Sequence, residues 1–77
     1  MTIEVKFFAS LREQVGKAAT ELEAGDGLTA LEVWQQATGN PELGANILIA
    51  VNMEYVGKDQ QVVDGDEVAF FPPVTGG

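Results

Sequence analysis

The chain has 77 residues, enough for one domain whose single core buries only about 60% of the unfolded chain's surface. It contains neither Cys nor His, which excludes disulfides, thiol nucleophiles, the usual zinc ligands and the commonest general base, so self-contained catalysis is not expected. Four basic residues against 12 acidic ones give a net charge of −8, the opposite of what a nucleic-acid backbone attracts. A field of that sign favours encounter with basic protein surfaces, or simply keeps a small domain soluble. The opening Met1-Thr2-Ile3-Glu4-Val5 has no basic segment followed by an apolar run, and no stretch is long enough to cross a bilayer, so a cytoplasmic protein is expected.

Ile3, Val5 and Phe7 alternate with Glu4 and Lys6, the period-two pattern of a strand with one buried face. Ser10-Leu11-Arg12-Glu13 then matches a capping box, and Gly16 is placed to end a short helix of one or two turns. Ala19 to Ala24 predicts a second strand anchored by Leu22, followed by the turn Gly25-Asp26-Gly27. Thr29-Ala30-Leu31-Glu32 is a second capping box, with Leu28 and Val33 as the hydrophobic staple that fixes the entry angle of the main helix. Along it Ala30, Leu31, Val33, Trp34 and Ala37 form an apolar stripe, and Gly39 and Pro41 end it. Trp34 is read as core; the rival reading is a ring on which a ligand stacks.

Ile47 to Val51 is almost continuously apolar and predicts a strand inside the sheet. Tyr55-Val56 and Gln60 to Val63 give only short strands, whose pairing stays open, on either side of Gly57-Lys58-Asp59. Glu67 to Phe71 alternates again, with Val68 and Phe70 on one face and Ala69 and Phe71 on the other, until Pro72 and Pro73 forbid further ladder bonds. The order predicts an α+β roll: a mixed sheet of four to five strands, with one main helix across one face and the first and last strands as central neighbours. A single domain is expected over residues 1–77, with a flexible tail at 74–77.

The chain ends on Gly76-Gly77 after Pro72-Pro73-Val74-Thr75. Two residues without side chains can enter a channel too narrow for any Cβ, which makes the terminal carboxylate a candidate working group; chance or simple fraying is the bland alternative. Fully extended, Val74 to Gly77 spans roughly 13 to 14 Å, enough to reach into a partner's pocket. Phe8 and Phe71 are out of phase with the buried sets, which places both rings on the helix-free face as docking candidates; the alternative puts Phe8 beneath the turn at Ser10 to Val15.

The string Asp64-Gly65-Asp66-Glu67-Val68-Ala69-Phe70-Phe71-Pro72-Pro73-Val74-Thr75-Gly76-Gly77 closely resembles the sulfur-carrier (small) subunits of molybdopterin synthase. Val5-Lys6-Phe7-Phe8-Ala9, Leu11 to Gly16 and Ala50-Val51-Asn52 resemble the same family, so the similarity covers nearly the whole chain. A Gly-Gly end is common to ubiquitin-like carriers, whereas the preceding Phe-Phe-Pro-Pro-Val-Thr is particular to this subunit. The resemblance implies a β-grasp, ubiquitin-like fold. It further implies that a ubiquitin-activating-type adenylyltransferase, consuming ATP, adenylates Gly77 and that a sulfur donor converts it to a thiocarboxylate. That group then gives sulfur to cyclic pyranopterin monophosphate inside the large subunit, forming the dithiolene.

By the same resemblance Gly77, with Gly76, carries the chemistry, while Phe8, Tyr55, Phe71, Pro73, Val74 and Thr75 meet the partners; Tyr55 stands where the family is often aliphatic. No cofactor or metal is expected on the chain itself, and neither nucleic acid nor membrane is an expected partner. The alternatives are a carrier for thiazole synthesis or tRNA thiolation, a ubiquitin-like covalent modifier, and an interaction domain whose tail is idle.

Overall fold

The computed structural model describes residues 2–44 and 46–72. Strand β1 (Thr2–Phe7) buries Ile3, Val5 and Phe7, in the expected phase. The short helix α1 (Ser10–Val15) follows and plugs one end of the core with Leu11. Its expected capping box does not form. The Phe8 N–H continues the ladder by donating to the Phe70 carbonyl (3.2 Å), so the chain turns sharply at Ala9, which takes φ 52° and becomes the N-cap. Ser10 is thereby drawn inside the first turn, and no side chain caps the helix. The other end matches expectation, with Gly16 at φ 89° donating to the Arg12 carbonyl.

Strand β2 (Ala19–Glu23) runs antiparallel to β1 and sets Leu22 opposite Ile3. After the Gly25 to Gly27 turn, the two-residue strand β3 (Leu28–Thr29) leads into helix α2 (Ala30–Thr38). Here the capping box is complete: Thr29 Oγ1 accepts from the Glu32 N–H at 3.2 Å, and Glu32 Oε1 accepts from the Thr29 N–H at 2.9 Å. Gly39, at φ 75°, closes the helix.

The helix lays Ala30, Val33, Trp34 and Ala37 on the sheet. Trp34 meets Phe7 and Phe70 edge-on, at centroid distances of 6.2 and 5.1 Å, and its Nε1–H donates to the Glu42 carbonyl at 2.9 Å. That partner satisfies the one polar atom of a buried indole, so Trp34 is core.

Strands β4 (Leu48–Val51), β5 (Glu54–Val56), β6 (Gln61–Val62) and β7 (Glu67–Phe71) complete the chain. The main sheet has the order β2-β1-β7-β4-β5, in which β1 and β7 are parallel and the other pairs antiparallel. The pairing left open by the sequence is resolved by β6, which joins β3 in a separate two-stranded sheet and buries Val62 opposite Leu28. Five strands, a parallel central pair and one main helix across one face make the β-grasp roll that the resemblance implies.

Candidate functional site

The helix-free face of the sheet carries a cluster of aromatic side chains. Phe8 lies one residue beyond β1, and its ring stacks on Phe71 with centroids 4.8 Å apart and planes 8° from parallel. Tyr55, on β5, meets Phe71 at 6.3 Å and 63°. Phe8 is 40% exposed and Tyr55 is 73% exposed, so Phe8 does not lie beneath α1. The structure thus brings together the three described docking candidates. Pro73, Val74, Thr75, Gly76 and Gly77 lie outside the described residues.

The register explains the cluster. Ala50 on β4 pairs with Ala69 on β7 and with Tyr55 on β5, and Leu48 pairs with Phe71. Two small residues side by side leave a hollow of about 260 Å³, walled by Phe8, Phe71, Tyr55 and Met53, with Glu67 at one end.

Sequence reasoning missed Met53, which is 92% exposed, and the paired alanines. The signal for Met53 was available: a two-residue link between β4 and β5 demands positive φ at both positions, and Asn52-Met53 occupies it at 50° and 71°. Asn52 ties this turn to the start of β7. Its Nδ2 donates to Asp66 Oδ1 at 2.9 Å, its Oδ1 accepts from the Glu67 N–H at 3.0 Å, and its own N–H donates to the Glu67 carbonyl at 2.8 Å.

Beyond the hollow the face becomes charged. Glu4 pairs in register with Glu67 on one side and Glu21 on the other. Lys6 Nζ reaches Glu67 at 3.0 Å, and this hydrogen bond and the attraction of the same carboxylate raise the lysine above its ordinary value. Among the described residues no group of three or more His, Cys, Asp or Glu side chains is placed to hold a metal, and no helix is long and apolar enough to cross a membrane.

An apolar, half-exposed aromatic face beside an acidic row suits protein docking better than chemistry on a small molecule. The sequence pattern of the ThiS family matches residues 5–77. The chain belongs to the ThiS family. It is 46% identical to the molybdopterin synthase sulfur carrier subunit of Escherichia coli, over 97% of this chain and 99% of that relative. It is 38% identical to the subunit of the same name from Haemophilus influenzae, again over 97% and 99%. Among solved structures it is similar to SAMP1 from Haloferax volcanii, with 28% identity, complete coverage of both chains and a TM-score of 0.79. Family membership and that structural likeness agree with the ubiquitin-like roll described above.

Proposed function

We propose that the chain is the sulfur carrier subunit of a cytoplasmic molybdopterin synthase, with Gly77 as the carrier end. The observation that carries this reading is identity of 46%, along essentially the whole length of both chains, with a molybdopterin synthase sulfur carrier subunit. The absence of cysteine agrees with it, because sulfur handled by this chain has no side-chain thiol on which to ride as a persulfide.

The chemistry follows from the acyl group. A carboxylate repels nucleophiles, so activation comes first: in the proposed cycle one Gly77 carboxylate oxygen attacks the α-phosphorus of ATP on an adenylyltransferase, and pyrophosphate leaves. A sulfide-level sulfur nucleophile supplied by a donor on that enzyme then attacks the acyl carbon of the mixed anhydride, the bond to AMP breaks, and a thiocarboxylate remains. In the large, catalytic subunit its ionised sulfur bonds to a side-chain carbon of cyclic pyranopterin monophosphate as a C–O bond at that carbon breaks, the oxygen leaving on the phosphate or as water. Water then cleaves the acyl–sulfur bond, leaving sulfur on the pterin and returning the carboxylate. Two such deliveries supply the two sulfurs of the dithiolene. The chain binds no cofactor of its own in this scheme; ATP is consumed by the activating partner.

Phe8, Tyr55 and Phe71 are the proposed docking residues for both partners, Pro73, Val74 and Thr75 direct the tail, and Gly76 and Gly77 pass the partner's constriction. Intact-mass measurement after incubation with the adenylyltransferase, ATP and a sulfur source tests the proposal. The expected result is replacement of one oxygen by sulfur at Gly77; an unchanged mass under conditions that load a known carrier overturns it. The covalent-modifier alternative predicts an isopeptide bond between Gly77 and a lysine instead.

A further inference from the structure

The Asn52-Met53 turn holds both residues at positive φ, where Asn followed by Gly is the favoured pair because a Cβ at the second position crowds the backbone. Asn52 is explained by its two side-chain hydrogen bonds, one to Asp66 and one to Glu67. Met53 is explained by nothing in the fold. Its side chain is 92% exposed, so it fills no core; glycine would suit the backbone better, and a polar residue would suit the water. What Met53 does is raise one wall of the hollow on the helix-free face.

With Tyr55 it stands across from the Phe8–Phe71 stack, over a floor of Ala50 and Ala69. At about 260 Å³ the hollow is smaller than the roughly 300–1,000 Å³ typical of sites that enclose small molecules. Its end is marked by Glu67, in register with Glu4 and, across β1, Glu21. Lys6 pairs with one of these three carboxylates and leaves the row net negative.

We propose that this hollow receives a single apolar side chain projecting from the synthase's catalytic subunit, beside a Lys or Arg of that subunit that faces the glutamate row, and that Met53 is a docking residue which sets this seat. The identity of the partner rests on the sulfur-carrier reading above. The apolar walls and the unbalanced carboxylates at one end define the occupant's chemistry: a hydrophobic knob with a cation next to it.

The test is binding of purified catalytic subunit to M53G, A69L and F71R carriers by calorimetry, with thermal unfolding of each carrier alone. M53G relieves a positive-φ Cβ, so its unfolding midpoint is expected to hold or rise by about 4 °C. Its Kd is expected to rise roughly tenfold through loss of the buried methionine surface. A69L adds apolar surface but fills the floor, and is expected to weaken binding at least as much. Unchanged affinity in M53G, or a joint fall of midpoint and affinity, overturns the role of Met53. Tighter binding by A69L overturns the hollow while leaving a flat apolar docking face intact. Wild-type affinity in F71R instead removes the docking face itself, a failure of the broader reading. If A69L is less stable than wild type, M53G alone decides.

Discussion

The Phe8 ring lies 4.8 Å from the Phe71 ring and within 8° of parallel to it, so the residue just past β1 and the last residue of β7 form one surface. Neither ring serves the core, which is closed on the other face by Phe7, Phe70 and Trp34. The proposed docking face and the core are thus carried by different residues, so the first can be altered without dismantling the fold.

Phe71→Arg is therefore expected to weaken binding of the catalytic subunit by roughly thirtyfold, equivalent to a hot-spot loss of about 2 kcal/mol. Circular dichroism of the free carrier should be unchanged. A loss of secondary structure would show that the ring supports the fold instead.

The core makes the opposite prediction. Trp34→Ala removes the indole that meets both Phe7 and Phe70, and is expected to cost about 3–5 kcal/mol. A domain of this size has on the order of 5–10 kcal/mol in total, so denaturant titration should show a midpoint displaced by a large fraction of its value.

The two capping sequences look alike, but only one forms a cap. Thr29→Ala is expected to destabilise by about 1 kcal/mol, lowering the thermal midpoint by roughly 4–8 °C. Ser10→Ala should leave it nearly unchanged, because no side chain caps α1. Equal losses in both variants would contradict the turn at Ala9.

The Lys6–Glu67 pair gives a pH signature. The lysine is raised in the folded state, so its contribution to stability is fully present below its unfolded value of 10.5 and is lost as the pH climbs through the higher folded value. Lys6→Gln should unfold at a lower temperature than wild type near neutral pH, and the two midpoints should converge in strong alkali. The gap should also shrink with added salt, because the pair is exposed to solvent.

Deletion of Gly77 is expected to abolish sulfur transfer while the unfolding midpoint stays within about 2–4 °C of wild type, since loss of a residue that has no side chain is expected to change stability by no more than about 0.5 kcal/mol. A single-turnover assay with precursor pterin and the catalytic subunit measures the first; a thermal scan measures the second.

Most of this architecture was legible in the sequence because the patterns that encode it are local. The alternation of Ile3, Val5, Phe7 and of Val68, Phe70 gave the buried face of both central strands, and Thr29 with Glu32 marked the start of the main helix. The same parity argument placed Phe8 and Phe71 on the helix-free face. What stayed hidden depends on partners distant in sequence. The pairing of β3 with β6 rests on two residues from each strand, too few to show a period. The cap at Ser10 failed because Phe8 bonds to Phe70, 62 positions later, and this pulls the turn one residue earlier. The sign of Met53, a residue with a Cβ at the second place of a two-residue link, becomes readable only once the ends of β4 and β5 are known, and those depend on strand pairing.

The placement of β7 has a consequence for folding. Among the described residues it is the last strand in chain order, yet it lies between β1 and β4, so without it the sheet divides into two hairpins, β2-β1 and β4-β5. A chain that lacks residues 67–71 has no Phe8–Phe71 stack and no Ala50–Ala69 floor. The aromatic face and the closed sheet therefore arise together, in the same folding step that inserts residues 67–71.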